Sequence, residues 1–193
     1  MKYKSFNFIT YLLILLGNTL YAQERRKIEI EYAPFMTFDE SKPDATILTR
    51  DNSKQVHIKH EGIEMWCDQA IYDAKQDFIE AYGKVRINQG DTINMTSKYV
   101  EYSGKTQLAF ASGEVVLKDP TSVITTDTLY FDRMKQKAFY ESNGKVVRDT
   151  TGTITSTVGL YYMKTKKYQF VKNVKLVNPE YIIESNRLDF YSL

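Results

Sequence analysis

The sequence predicts an all-β fold built from an antiparallel repeat of about thirty residues and two strands, on three observations. Short runs alternate apolar and polar residues, two residue columns recur in step, and no sustained 3.6-residue period follows the first two dozen residues. The first column is aromatic: Phe38, Tyr72, Tyr102, Phe131, Tyr161 and Phe190, at intervals of 34, 30, 29, 30 and 29 residues. The second is Val56, Val85, Val115, Val146 and Val174, at intervals of 29, 30, 31 and 28. Two residues before the valine stand Gly83, Gly113 and Gly144, replaced by Lys54 and Lys172 in the outer copies. Five residues before the aromatic stand Cys67, Ser97, Thr126, Ser156 and Ser185.

In chain order, Lys2 and Lys4 precede the apolar run Phe8 to Leu16 and a tail ending at Tyr21-Ala22, which reads as an export signal removed after residue 22. Its apolar core falls short of the roughly 20 residues that span a bilayer, and Gly17 and Asn18 interrupt it. Residues 23–193 read as one β-repeat domain. The run from Ile28 to Tyr32, IEIEY, alternates as a first strand. Each copy then supplies one strand ending at the aromatic and one passing through the valine. Polar turns such as Ser103-Gly104-Lys105 and Asn88-Gln89-Gly90-Asp91 join them.

One parity of these strands is apolar and is assigned to the inner face: Ala70, Tyr72, Val100, Tyr102, Leu129 and Phe131 on the aromatic strands, Val85, Ile87, Val115 and Leu117 on the valine strands. The other parity mixes Lys84, Arg86, Glu114 and Lys145 with Tyr82, Phe110 and Val116. Glycine on the inner parity marks a bulge, a bend or a close approach. It is read either as a local bulge or as the curvature that folds the sheet over and opens a groove. The sequence ends at Leu193, after the first strand of a sixth copy.

Removing Lys2 and Lys4 from 26 basic residues leaves 24 against 24 acidic ones, so the processed chain is neutral, which argues against a nucleic-acid partner. Cys67 is the only cysteine, which excludes an internal disulfide, and it fills a column of small hydroxyl residues rather than a nucleophile's place. His57 and His60 are three apart on a strand and point to opposite faces, so no metal site is expected. Asp68 and Asp127 share a column with Lys98, Thr157 and Asn186, which reads as solvated. No paired acid and base, phosphate loop or cofactor motif is present, and no catalytic residue is assigned. Lys84 and Arg86 are read as rim cations that could meet phosphates, against the more ordinary reading of solvated side chains.

The segment MWCDQAIYDAKQDFIEAYGKVRINQGDT (Met65 to Thr92), with its echoes AFASGEVVLKDP and ITTDTLYFDR, resembles the OstA-like proteins, relatives of the LptA-type periplasmic lipopolysaccharide-transport component. The resemblance covers roughly Ile28 to the end. It implies a twisted, incompletely closed antiparallel jelly roll, folded over an apolar groove that takes the acyl chains of lipid A. It also implies a periplasmic, non-enzymatic carrier, free or associated with the outer membrane, which joins other transport proteins or copies of itself head to tail through edge strands. The lipid-facing candidates are then the ten inner-face residues named above, with a closed sandwich core as the alternative. The edge candidates are Ile28, Ile30, Tyr32, Ile183, Leu188 and Phe190. Two other readings remain at this level: a parallel β-helix acting on or binding polysaccharide, and a structural surface repeat.

Overall fold

The computed structural model describes residues 26–40, 42–148 and 152–191; the predicted export segment lies outside them. The strands are β1 Glu29–Tyr32, β2 Phe35–Asp39, β3 Lys42–Thr49, β4 Val56–His60, β5 Ile63–Cys67, β6 Gln69–Asp73, β7 Phe78–Gln89 and β8 Ile93–Ser103. They continue with β9 Leu108–Lys118, β10 Val123–Asp132, β11 Lys137–Tyr140, β12 Gly144–Arg148, β13 Gly152–Ser156, β14 Val158–Tyr162, β15 Lys167–Val177 and β16 Ile182–Tyr191. A single 3₁₀ turn, Met163–Thr165, is the one helical element among the described residues.

Every strand pairing is antiparallel, which removes the parallel β-helix reading. The strands form one hydrogen-bonded sheet that divides lengthwise into two halves. The long strands β7, β8, β9, β10, β15 and β16 cross both halves. Elsewhere two short strands share the crossing: β7 pairs β6 through Phe78–Tyr82 and β5 through Arg86–Gln89. β10 likewise pairs β11 at one end and β12 at the other. The two sequence columns map onto this division. The aromatic column lies on β2, β6, β8, β10, β14 and β16 in one half, and the valine column on β4, β7, β9, β12 and β15 in the other. We call these the aromatic and valine half-sheets.

The line between them is a row of bulges. Register slips by one residue between Tyr82 and Val85, Thr96 and Tyr99, Thr126 and Thr128, and Val171 and Val174. Three pairs of consecutive left-handed residues account for all four slips: Gly83 and Lys84 (φ 72° and 45°), Gly113 and Glu114 (77° and 54°), which face both β8 and β10, and Lys172 and Asn173 (65° and 51°). Such pairs turn an extended strand sharply, so the sheet bends over on itself and its two inner faces meet. The glycine thus does both things read from the sequence: it is a local bulge, and the row of bulges is the fold line. A Cβ on Gly83 would stand 2.8 Å from Asp68 Oδ2, and one on Gly113 would stand 2.9 Å from Lys98 Cβ. Gly144 is required for another reason, because a Cβ there would meet the Tyr140 ring at 2.4 Å.

The hydroxyl column completes the corner. Ser97, Thr126, Ser156 and Ser185 each donate to the backbone carbonyl two residues on, at Tyr99, Thr128, Val158 and Arg187, over 2.9 to 3.2 Å. These carbonyls sit beside the register shifts, where the hydroxyls add a side-chain hydrogen bond to the corner. On β8, β10 and β16 the inner face also changes parity across the line. Met95 and Ser97 face inward before it, and Val100 and Tyr102 after it; Ile124 precedes Leu129 and Phe131 in the same way.

Replacing Gly113 by alanine is expected to cost about 1–3 kcal/mol, because it adds a side chain to a left-handed position already crowded by Lys98. Ser97→Ala, which strips one corner carbonyl of its donor, is expected to cost about 1 kcal/mol. Denaturant midpoints of the processed chain and each variant, at equal concentration, check both values.

Candidate functional site

Among the described residues, the interior between the half-sheets is the one place where every repeat converges. Of the predicted lipid-facing set, Ala70, Val85, Ile87, Val100, Tyr102, Val115, Leu117, Leu129 and Phe131 are buried there, and Tyr72 is half-buried near one end. The sequence reading missed Ile79, Ala81, Met95, Ala109, Ala111, Ile124, Ala138, Tyr140 and Tyr168, which are equally enclosed. Size alternates across the strands at the aromatic level. Tyr102 and Phe131 both lie opposite Ala109, and Phe131 and Tyr161 both lie opposite Ala138. Small residues on every second strand therefore make room for the rings. In the C-terminal part a void of about 10 Å³ remains among Ile124, Leu129, Tyr140, Val146, Tyr161 and Phe170, at the lower limit of roughly 10–15 Å³ that admits a single water. The inner columns thus pack against each other in this state.

Three boundaries of different character enclose this interior. Along the fold line the wall is continuous backbone. Along the opposite side, the mouth, turns of the two half-sheets meet through polar side chains. His60 Nε2 donates to the Arg26 carbonyl over 2.9 Å, which leaves Nδ1 to accept the Tyr102 hydroxyl over 2.7 Å. Glu61 accepts from Gln107 Nε2 over 2.6 Å and from Arg133 Nη1 over 3.2 Å, and Arg133 Nη2 donates to the Glu61 carbonyl. Further along, Ser122 donates to the Tyr168 hydroxyl over 2.9 Å, and Tyr168 donates to Asp119 over 3.3 Å. The buried Arg148 guanidinium lies over the Tyr168 and Phe190 rings at 5.3 and 4.9 Å. Burial raises the Tyr102 and Tyr168 pKa values, whereas Glu61 is lowered. Burial opposes the Glu61 charge, but hydrogen bonds from Arg133 and Gln107 outweigh it.

The third boundary is open: at each end of the sheet the inner face reaches an unpaired edge. At the N-terminal end β2 is that edge in the aromatic half-sheet, and its inner-face Met36 and Phe38 are 52% and 72% exposed. At the other end β16 leaves Ile183 exposed and Leu188 and Phe190 half-buried. Among the predicted edge residues, Ile30 and Tyr32 lie on β1, the edge of the valine half-sheet. Ile28 does not serve an edge: it precedes β1, is buried, and its N–H is bonded to Asp77 Oδ1 over 3.0 Å. Phe35, Met36 and Phe38 were missed as edge residues because the loop Ala33-Pro34 hides a second strand behind the alternating IEIEY run.

Lys84 and Arg86 are not rim cations. Both are exposed, Lys84 at a fold-line bulge and Arg86 on the outer face, its guanidinium 4.3 Å above the Trp66 ring. Trp66 in turn stacks on His57 at 4.7 Å, while His60 faces inward, so the two histidines do occupy opposite faces. A shallow concavity of about 530 Å³ on the aromatic half-sheet is shaped by Leu108 and by Phe110, Tyr130 and Phe139, and these three rings form a cross-strand ladder at 5.0 and 4.8 Å. No cluster of three or more potential metal-ligating residues occurs among the described residues, and no described helix is long and apolar enough to cross a membrane.

The sequence model of the OstA-like protein family matches residues 25–186. No curated protein sequence matches the chain. Among solved structures the fold is similar to that of LptH from Pseudomonas aeruginosa, described as the LptA-homologous periplasmic component of the lipopolysaccharide transport device. The TM-score is 0.53 at 16% identity, covering 64% of this chain and 93% of that one.

Cys67 supplies a direct probe of this interior. Burial, and then the adjacent Asp68 charge, push its thiol up to about 12. The neutral thiol is therefore the form the fold favours: that preference is complete below the ordinary thiol pKa of roughly 8.5 and is lost as pH rises toward 12. At pH 8 the folded protein is expected to label with a maleimide at least a hundredfold more slowly than the protein in denaturant, checked by mass spectrometry over time.

Proposed function

Because this chain belongs to the OstA-like protein family, we propose that it binds lipopolysaccharide through the lipid A acyl chains held between its half-sheets, and helps carry or bridge it across the periplasm to the outer membrane. The observation that carries this reading is the predominantly apolar inner face, which runs through every repeat and ends at open edges on both sides. Each methylene moved from water onto such a face is worth about 0.8 kcal/mol, so several chains are held without chemical energy input. In the empty protein the inner columns satisfy one another. Acyl chains enter by replacing those contacts, as the half-sheets part on the side where only side chains join them.

The proposed lipid-facing residues are Ala70, Tyr72, Val85, Ile87, Val100, Tyr102, Val115, Leu117, Leu129 and Phe131, joined by Met95, Ile124 and Ala138. Proposed contacts to other transport proteins, or to further copies head to tail, run through the edges. β1 and β2 offer one row of unpaired backbone groups and β16 the other, the arrangement that accepts strand addition. In this role the protein is a carrier exported to the periplasm, without a catalytic centre.

A photo-crosslinking residue at Tyr102 or Phe131 is expected to give lipopolysaccharide adducts in the processed chain, and one at Lys84 none, read by gel shift and immunodetection of the lipid. Adducts from Lys84 alone would sink the interior site. At the edges, Phe38→Asp and Ile183→Asp are each expected to shift concentration-dependent self-association toward monomer in analytical ultracentrifugation, while lipid uptake persists.

A further inference from the structure

The proposed interior leaves one part of such a ligand unplaced, its phosphorylated headgroup, which an apolar face cannot hold. The mouth supplies a candidate. Glu61 and Gln107 stand at left-handed turn positions (φ 45° and 55°), where glycine or asparagine is the ordinary choice, and they carry long polar side chains to Arg133. Glu61 and Arg133 are 72 residues apart and belong to opposite half-sheets, so this contact is made only when the mouth is closed. The Arg133 side chain is 17% exposed. One nitrogen reaches both the Glu61 carboxylate at 3.2 Å and Gln107 Oε1 at 3.0 Å, and its buried Nε–H has no hydrogen-bond partner. The His60–Tyr102 pair lies immediately inside, where the apolar lining begins.

We propose that Arg133 is the anchor for an anionic headgroup phosphate, and that Glu61 is a built-in competitor occupying that place in the empty protein. The inference rests on the lipid reading above and specifies where the polar end of the lipid lies. A guanidinium with a spare donor meets a phosphate more completely than a single carboxylate oxygen, because the phosphate offers three acceptor oxygens to its fork. Exchange of Glu61 for phosphate breaks the contact that joins the half-sheets at this point. Chains then enter sideways through the mouth as the headgroup docks, with Gln107 left to pair with either partner.

A purely structural clasp and a competed site differ in sign. Loss of either partner weakens a clasp in the same way, whereas in a competed site Glu61 opposes the ligand and Arg133 attracts it. The test measures equilibrium binding of bis-phosphorylated lipid A and of its dephosphorylated counterpart to the processed wild-type chain and to Glu61→Gln, Arg133→Gln and Arg133→Lys, each checked for folding by circular dichroism. Glu61→Gln is expected to bind the phosphorylated lipid at least about threefold more tightly, and Arg133→Gln roughly tenfold more weakly. Arg133→Lys is expected to fall between, and serves alone should Arg133→Gln not fold. The dephosphorylated lipid should not respond to Arg133. Shifts of the same sign for Glu61 and Arg133, no shift in either, or equal shifts for both lipids overturn the site while leaving the interior intact. Failure of the wild-type chain to bind either lipid overturns the lipid reading, and this inference with it.

Discussion

The fold depends on one constraint: an open sheet with one apolar face has nothing to bury that face against except itself. The bulge row along Gly83, Gly113 and Lys172 satisfies it. Extended strands cannot turn back over the length of a side chain, so β7, β9 and β15 each spend two residues in left-handed backbone at the fold line, and at Lys84, Glu114, Lys172 and Asn173 these are not glycine. That strain is offset collectively, since every bulge lets a strand contribute inner residues to both half-sheets. The serine and threonine hydroxyls at the corner then add hydrogen bonds to the backbone carbonyls beside the bulges.

The repeat was legible in the sequence because strand geometry writes period two and the fold line writes period thirty. The aromatic and valine columns turned out to be the two half-sheets. What the alternation could not show is the reversal of parity at the corner. Counting by twos from Val100 puts Met95 on the outside, and counting from Leu129 does the same to Ile124, yet both are buried. The one-residue register shift at each bulge is the reason. Ile28 looked like an edge residue by alternation and is held inside by Asp77, a contact 49 residues distant. The pairing of Glu61 with Arg133 has no local signature at all, since neither residue belongs to a repeated column.

The carrier role proposed above must be reconciled with a fully packed interior, and packing is the condition for keeping such a protein stable while empty. An apolar cleft held open to water would cost about 25 cal/mol for every square ångström left exposed. Here the rings of Tyr102, Phe131 and Tyr161 close over Ala109 and Ala138, so little volume is wasted. Cargo then competes with self-contact rather than with water, which moderates its net affinity. Moderate affinity suits a carrier that must also release what it holds. In that proposal the asymmetry of the walls sets where exchange occurs: continuous strands crossing the fold line resist separation, while the mouth is held by a few side-chain contacts.

The edges follow from the same logic. Exposed apolar strands at the ends of a sheet are ordinarily blunted by charge or proline, because they invite pairing with any other strand. β2 carries such residues only at its ends, Pro34 before it and Asp39 as its last residue, and presents Phe35, Met36 and Phe38 between them. β16 is two-sided: Glu184, Arg187 and Asp189 line its outer face, bonded across to Lys175, each other and Lys167, while Ile183, Leu188 and Phe190 line the inner one. A strand added here must match both faces, and a slip of one residue would carry its apolar side chains out to water. An edge built this way selects partners that continue the same apolar interior. The alternation that builds each copy therefore also sets the register in which a neighbour can join.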